Sequence, residues 1–400
     1  MGGDMVTPAA VRDVSITDIQ TTRIGGNFEW TLVRVYSDAG VAGTGEFVIG
    51  PKAEAYVDFA KELLIGKNPV DLDARMTELY DHLSYLGAMN GIGVTAISGI
   101  DIALHDLAGK LLDVPAYQLL GGKHRDEVRV YCDVHAGEHL RDAGSADDDS
   151  PYRPEAYADK AEEVVDEGWD GIKFDLDTPE RHEIDSKNKH MNARAIDYRT
   201  EIVETVTDRV GDRADVAFDC HWSYAPETAR RLASALEPYP VWWLEDVVPP
   251  ENHDIQMDVT GATDTSICAG ENAYRVEGAR RLIENGGLDI IHPDVPKTGG
   301  MLETKKVANM AKAYHIPLAL HNVASPIGTV ASAHVGAAAS NFLALEWHSR
   351  DVDWWSDVVE EDVLEPGRLT LPDEPGLGVT LDRDVAQANL KDGETLFDEA

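Results

Sequence analysis

Three acidic residues, each at the end of a strand-like run, are the strongest chemical signal in this sequence of 400 residues. Asp219, Glu245 and Glu271 end or immediately follow the runs DVAFD, VWWLE and SICAG, and their numbers differ by 26 at each step. That interval fits one strand-helix unit of a barrel, in which successive strand ends face one opening. Three clustered carboxylates need a cation to remain ionised, and oxygen-only ligands favour Mg2+, with Mn2+ as a second option. The trio therefore predicts a metal site.

A second pair supplies a candidate base. Asp294 and His321 lie at the ends of the sixth and seventh strand-like runs. If they are neighbours, the carboxylate would orient the imidazole and raise its basicity. The alternative is an ion pair between neighbouring surface loops.

Four further residues are placed to act on a substrate. His221 lies two residues after Asp219, so an extended backbone would point both side chains to the same side, where His221 either serves as an acid or is a capping or packing histidine. Lys173 and Asp175 alternate in the same way on the second strand, and they either contact substrate or form a structural ion pair. Glu346, near the end of the eighth strand, could exchange a hydrogen bond with a substrate carboxylate or enolate.

Other reactive side chains are interpreted as structural or peripheral. Four lie near strand ends without a partner that the sequence identifies: His135, His292, Lys297 and His348. Three scattered cysteines indicate neither a disulfide framework nor a zinc site: Cys132, Cys220 and Cys268.

Eight short apolar or β-branched runs alternate with amphipathic stretches between residues 128 and 347. This alternation is typical of strand-helix units around a parallel sheet, and eight strands predict an α/β barrel. The runs are VRVYCDV (128–134), GIKFD (171–175), DVAFD (215–219), VWWLE (241–245), SICAG (266–270), DIIHPD (289–294), PLALH (317–321) and FLALEW (342–347).

The remaining chain predicts a second, smaller domain. Its N-terminal part holds two strand-like runs and a helical region, and the late segment LPDEPGLGVTLD is expected to return to it. We therefore expect an α+β domain at 1–127, completed by about 366–400, and a catalytic barrel at 128–365. The polar loop at 177–192 is long for a connection, and it either lines the site or is a solvated excursion.

Composition limits the partners. Lys and Arg number 35 against 73 Asp and Glu, a net charge of −38, which repels nucleic acid and anionic membranes. This charge favours the salt-adapted surface of a halophile over an ordinary solvated surface. No apolar run of about 18 residues indicates a membrane span, and the N-terminus lacks a secretory pattern, so cytoplasmic residence is the default expectation.

Several motifs, spread over nearly the whole chain, resemble the mandelate racemase group of the enolase superfamily. They are GVAGTGE (40–46), AISGIDIALHDLAGKLLDVPAYQLLGG (96–122), HPDVPKTGG (292–300) and PGLGV (375–379). The resemblance implies an α+β capping domain over a modified (β/α)7β TIM-type barrel. It also implies metal ligands, an Asp/His dyad and a late acidic residue, which fall in turn on Asp219, Glu245 and Glu271, on Asp294 and His321, and on Glu346.

The same resemblance separates the possible reactions. The muconate-lactonizing branch has a catalytic Lys where this chain has Asp294, and the Lys-x-Lys pair of mandelate racemase is here Lys173-Phe-Asp175. The Asp-x-His arrangement of Asp219 and His221 instead resembles galactonate and related aldonate dehydratases. It implies Mg2+-dependent dehydration of a sugar acid through an enediolate to a 2-keto-3-deoxy acid.

In this hypothesis His321 takes the α-proton, His221 protonates the leaving hydroxyl, and Lys173 helps to hold the substrate carboxylate. Gluconate, galactonate and xylonate are all candidate substrates. One alternative is a racemase or epimerase of a 2-hydroxy acid, and another is a non-catalytic sugar-acid binding protein. Because the family tends toward symmetric assemblies, we also expect a homo-oligomer.

Overall fold

The computed structural model describes residues 11–134, 152–177 and 189–398. It begins with an antiparallel three-stranded sheet, in the order β1-β2-β3, followed by helices. These elements are β1 Ile16–Gly25, β2 Glu29–Ser37, β3 Ala42–Val48, α1 Glu54–Leu64, α2 Leu72–Leu86, α3 Ile92–Leu112 and α4 Ala116–Leu119.

Two glycines of the GVAGTGE motif let α3 pack directly on β3. A Cβ added at Gly43 would lie 2.1 Å from the carbonyl oxygen of Ala103, and one added at Gly45 would lie 2.3 Å from that of Gly99. Both glycines face the helix because residues two apart on a strand point to the same side. The other face of β3 carries Glu46, whose carboxylate contacts Ser325 in the barrel.

Helix α3 is long and apolar enough to cross a membrane by length and composition, a feature that the sequence reasoning missed. It is the one such helix in the described ranges, and 94% of its apolar 18-residue stretch is buried inside the protein. A helix that is hydrophobic all round is also what the core of a large protein requires, so this finding is weak evidence for a membrane span.

The second part of the chain forms a closed barrel of eight parallel strands, because β11 pairs with β4. This confirms the predicted barrel with a separate α+β sheet domain. The strands are β4 Glu127–Asp133, β5 Gly171–Asp175, β6 Asp215–Asp219, β7 Val241–Glu245, β8 Ile267–Ala269, β9 Ile290–Ile291, β10 Leu318–Leu320 and β11 Phe342–Trp347. The outer helices are α5 Pro154–Asp166, α6 Ala193–Val210, α7 Pro226–Leu236, α8 His253–Thr260, α9 Arg275–Glu284, α10 Val295–Thr298, α11 Gly300–Ala313 and α12 Pro326–Ala338.

The C-terminal segment contacts both parts of the molecule. It contains β12 Leu364–Glu365, β13 Arg368–Thr370 and α13 Arg383–Ala388, and β13 pairs antiparallel with β4. Further on, the backbone N–H of Lys391 donates to the Arg23 carbonyl at 3.0 Å, and Glu394 pairs with the Arg23 guanidinium. The C-terminal segment therefore returns to the first sheet, as expected. The domain boundaries at 127 and about 366 stay a prediction.

Candidate active site

The barrel interior is built in two layers, one apolar and one polar. Side chains two positions apart on a strand share a face, so the residues that follow the apolar layer by two positions also point inward. The apolar layer consists of Tyr131, Ala217, Trp243, Cys268, Ile290, Ala319 and Ala344. On six of those strands the residue two positions later is polar: Asp133, Asp219, Glu245, His292, His321 and Glu346. The polar layer lies at the carboxyl ends of the strands, where the sequence predicted the site.

Glu271 reaches this layer by a different backbone path. Strand β8 ends at Ala269, and Gly270 follows with φ of 142°, a conformation that side-chain-bearing residues rarely adopt. A Cβ at Gly270 would also lie 2.9 Å from the His292 backbone nitrogen. The glycine therefore permits the turn that delivers Glu271, three residues after Cys268 rather than two.

The candidate base lies beside this carboxylate. Nδ1 of His321 is 2.6 Å from Asp294 Oδ2, and Nε2 is 2.9 Å from Glu271 Oε2. Burial by itself lowers the pKa of His321, but the carboxylates of Glu271 and Glu346 and the bond to Asp294 outweigh it and raise this pKa well above 6.5. The structure thus brings the two predicted dyad members into contact in the barrel interior.

Lys173 lies at the centre of the polar layer. Its Nζ is 2.8 Å from Glu346 Oε1, 3.1 Å from Glu245 Oε1 and 3.2 Å from Asp219 Oδ2, and Asp133 Oδ2 lies at 3.6 Å. Burial lowers the pKa of Lys173, but the charges of Glu245 and Glu346 outweigh it and raise the pKa well above 10.5, so the ammonium form is stable. The structure therefore places Lys173 among carboxylates, two of which are predicted metal ligands.

The donor set fits a hard divalent cation. Carboxylate oxygens of Glu245, Asp246 and Glu271 lie within 4.8 Å of one another. Asp219 is not in this group of three, but it is joined to Glu245 through the ammonium of Lys173. Burial raises the pKa of Asp219 to about 8, and the negative charge of Glu245 contributes to this shift. Crowded carboxylates of this kind are what an all-oxygen Mg2+ or Mn2+ site provides.

The candidate acid lies at the rim of the site. Here the expectation of an extended backbone is wrong, because His221 has φ of 40° and its N–H turns back to donate to Asp219 Oδ1. The ring still remains near the site, with Nε2 3.8 Å from Asp219 Oδ2 and Nδ1 3.2 Å from Asp177 Oδ1. Asp175 is buried, with Oδ1 3.9 Å from the same Nδ1. Burial lowers the pKa of His221, but Asp219, Asp177 and Asp175 raise it well above 6.5 overall.

Several residues at the site were missed or given no partner by sequence reasoning. Nδ1 of His292 is 3.0 Å from Glu245 Oε1, and its Nε2 is 3.0 Å from the Tyr131 hydroxyl. Lys297 donates to Glu271 at 2.9 Å. The available signal for His292 was its place two residues after the inward-facing Ile290.

Asp246 was also missed, although it directly follows Glu245. Beyond the polar layer, His348 Nε2 is 3.7 Å from Asp133 Oδ2. His135 and most of the predicted loop at 177–192 lie outside the described residues.

The comparisons with known proteins agree with this architecture. Residues 10–121 match the mandelate racemase / muconate lactonizing enzyme N-terminal domain, and residues 156–385 match the enolase C-terminal domain-like family. The chain therefore belongs to the mandelate racemase / muconate lactonizing enzyme family of the enolase superfamily.

Two curated relatives and one solved structure resemble nearly the whole chain. A D-xylonate dehydratase of Haloferax volcanii is 55% identical, over 99% of this chain and 94% of the relative. A D-galactonate dehydratase of Variovorax paradoxus is 31% identical, over 93% of both chains. A mandelate racemase/muconate lactonizing enzyme-like protein from Rubrobacter xylanophilus is 37% identical, with a TM-score of 0.90 over 96% of this chain and all of that one.

Proposed function

We propose that this protein is a hydro-lyase that dehydrates an aldonic acid, with D-xylonate as the foremost substrate and Mg2+ as the cofactor. The observation that carries the reaction class is the contact of His321 with both Asp294 and Glu271, which sets a base beside the carboxylate cluster. The substrate class is supported by the D-xylonate dehydratase that is 55% identical over nearly the full chain.

His321 is the proposed base. Asp294 accepts from Nδ1–H, and Nε2, which faces Glu271 at 2.9 Å, is the atom that would take the proton from C2 of the substrate once Glu271 binds a cation in place of the imidazole. Because His321 is only 6% exposed, bulk water has little access to the transferred proton. This arrangement gives one face of the substrate a fixed base.

His221 is the proposed acid for the second half of the reaction. Its nearby carboxylates, Asp177 and Asp175, favour the imidazolium, which is the form that can donate a proton. His221 protonates the C3 hydroxyl, the C3–O bond breaks, and water leaves as a double bond forms between C2 and C3. The resulting enol takes a proton at C3 and becomes the 2-keto-3-deoxy acid.

The metal is assigned to the carboxylates at the ends of β6, β7 and β8. Asp219, Glu245 and Glu271 would hold it, and Asp246 is close enough to Glu245 and Glu271 to assist. When bound, Mg2+ would stabilise the negative charge that develops on the substrate carboxylate as the C2 proton leaves. Lys173 would add a fixed positive charge beside the substrate carboxylate, and Glu346 orients that ammonium.

A substrate panel tests this proposal. D-xylonate, D-gluconate and D-galactonate would each be assayed for 2-keto-3-deoxy product in concentrated salt with Mg2+, and again with EDTA. We expect D-xylonate to give product with Mg2+ and none with EDTA. Incorporation of deuterium at C2 in D2O, without keto product, would support the racemase alternative. Tight binding of a sugar acid with neither reaction would indicate a binding protein.

Four further predictions accompany this function. The family tendency supports a homo-oligomer, and the net charge of −38 argues against nucleic acid and anionic membranes as partners. Cytoplasmic residence and a salt-adapted surface stay predictions. The salt adaptation predicts higher activity and a higher unfolding temperature in concentrated salt than in dilute buffer.

A further inference from the structure

The loop that follows the proposed base is held by residues from the first sheet. Between the end of β10 and the start of α12 lie residues 321–325, and His321 is the first of them. The indole N–H of Trp30 on β2 donates to the Val323 carbonyl at 2.9 Å. The carboxylate of Glu46 on β3 accepts from the backbone N–H of Ser325, also at 2.9 Å.

Glu46 makes the larger set of these bonds. In addition to the Ser325 N–H, it accepts from the Ser325 hydroxyl and from the Gly328 N–H at 2.9 Å. These donors lie at the N-terminus of α12, where unpaired N–H groups and the helix dipole favour a negative charge. Three donors on two oxygens fix both the position and the orientation of the carboxylate.

The contact requires a close approach of the sheet to the helix. A Cβ added at Gly328 would lie 2.6 Å from the Ala324 Cβ and 3.0 Å from Glu46 Oε2, so glycine lets the helix approach both the loop and the carboxylate. Glu46 is fully buried, and its neighbours on the same face of the sheet, Trp30 and Leu32, are apolar and also fully buried. An apolar residue of similar size would fill this interface without the cost of burying an acid. Packing alone therefore does not explain a glutamate here.

The barrel side holds the same loop at the residues in between. Asn322 donates its backbone N–H to Glu346 Oε2, and the indole of Trp355 donates to the Ala324 carbonyl at 3.0 Å. Each residue from 322 to 325 thus has at least one hydrogen bond to a side chain that lies outside the loop. A base has to be held within a few tenths of an ångström of its productive place, and the loop behind it sets that place.

We propose that Glu46 is a positioning residue, which fixes the 321–325 loop from the first sheet and thereby holds His321 in register with the C2 proton. Trp30 assists at Val323. This inference rests on the proposed function, because it assigns Glu46 a part in the step that His321 carries out. Glu46 itself does not contact the substrate.

The test is a Glu46→Gln variant compared with two controls. The amide keeps the size of the side chain but turns an NH2 group toward backbone N–H donors, so the loop has to shift. Glu62→Gln makes the same change on an exposed position of α1, and Val57→Ala removes buried volume from the same helix. For each protein, kcat, KM and Mn2+ affinity by calorimetry would be measured below its own unfolding temperature.

We expect kcat of Glu46→Gln to fall about 10- to 100-fold, as for a displaced catalytic group, with KM and Mn2+ affinity nearly unchanged. Both controls should retain the wild-type kcat. The proposal is overturned if Glu46→Gln keeps a wild-type kcat, if Val57→Ala loses as much, or if the loss only follows a loss of metal binding.

Failure of the proposed function gives a different pattern. In that case the wild-type protein forms no keto acid, and the rate of deuterium incorporation at C2 of D-xylonate replaces kcat, because the racemase alternative needs the same base. A wild-type protein that shows neither reaction would overturn both proposals.

Discussion

The two histidines of the site are held in contrasting ways. The His321 side chain is 7% exposed, has Asp294 behind it at 2.6 Å, and belongs to a loop that is bonded at each following residue. The His221 side chain is 34% exposed, lies in a left-handed turn, and meets Asp177 at 3.2 Å. A base that removes a weakly acidic proton needs a fixed geometry, whereas an acid at the rim has only to reach a leaving hydroxyl. Under the proposed function, the buried His321 would therefore start the reaction, and His221 at the rim would complete it.

Removing the buried histidine should have the largest effect. His321→Asn keeps the size and one polar group but has no base, so we expect kcat to fall about 10^3- to 10^4-fold. Deuterium incorporation at C2 in D2O should be lost together with dehydration. Mn2+ binding serves as the control for an intact metal site. Substantial turnover in this variant would contradict the assignment of His321 as the base.

Removing the rim histidine should separate the two half-reactions. In His221→Asn we expect dehydration to fall about 10^2- to 10^3-fold, while C2 deuteration continues, because the base is untouched. NMR of D-xylonate in D2O measures both. Equal losses of exchange and dehydration would mean that His221 also takes part in the first step.

The acidic partners provide a matched pair of smaller changes. Asp294→Asn alters the buried group that fixes the His321 tautomer but leaves the imidazole in place, so we expect a loss of about 10^2-fold in kcat, the lower end of general-base effects. Asp177→Asn changes the corresponding partner of the half-exposed His221, and solvent should limit that loss to less than about tenfold. Steady-state kinetics of both variants would show which kcat falls more. A larger loss in Asp177→Asn than in Asp294→Asn would contradict the contrast between His321 and His221.

A third histidine extends the contrast to stability. His334 on α12 is fully buried, and within the described ranges its ring bonds to the Tyr117 backbone N–H and the Leu377 carbonyl rather than to a carboxylate. Burial therefore lowers its pKa to about 4. Because the folded pKa is below the unfolded value near 6.5, the unfolded chain binds more protons between these values, and stability is lost as the pH falls through them.

The expected size of that loss is about 3 kcal/mol between pH 7 and pH 4. Urea unfolding at both pH values, compared between the wild-type protein and His334→Asn, isolates this contribution from other titrating groups. We expect a smaller pH-dependent loss in the variant. Equal losses in the two proteins would show that His334 is not held in its neutral form.

Much of the site was predictable because it follows from strand periodicity. The 26-residue interval and the barrel rule are sufficient to bring Asp219, Glu245 and Glu271 to one end of the barrel. The Asp294 and His321 contact was predictable for the same reason, since both follow neighbouring strands. By contrast, the turn at His221 was missed, because its N–H bonds to the Asp219 side chain two residues earlier, a local turn that competes with the extended backbone assumed from strand periodicity.

The amino-acid sequence alone specifies the eight-stranded barrel, the end at which its polar layer lies, and the acidic and basic residue types available there, because alternation and residue spacing are local properties of the chain. The folded molecule determines which of those groups touch. The positions of Lys173 among four carboxylates, of His292 on Glu245 and of Glu46 on the loop behind His321 depend on segments far apart in the sequence. Such contacts arise only when the barrel closes and the first sheet docks against it, because burial and distance are set by the whole fold.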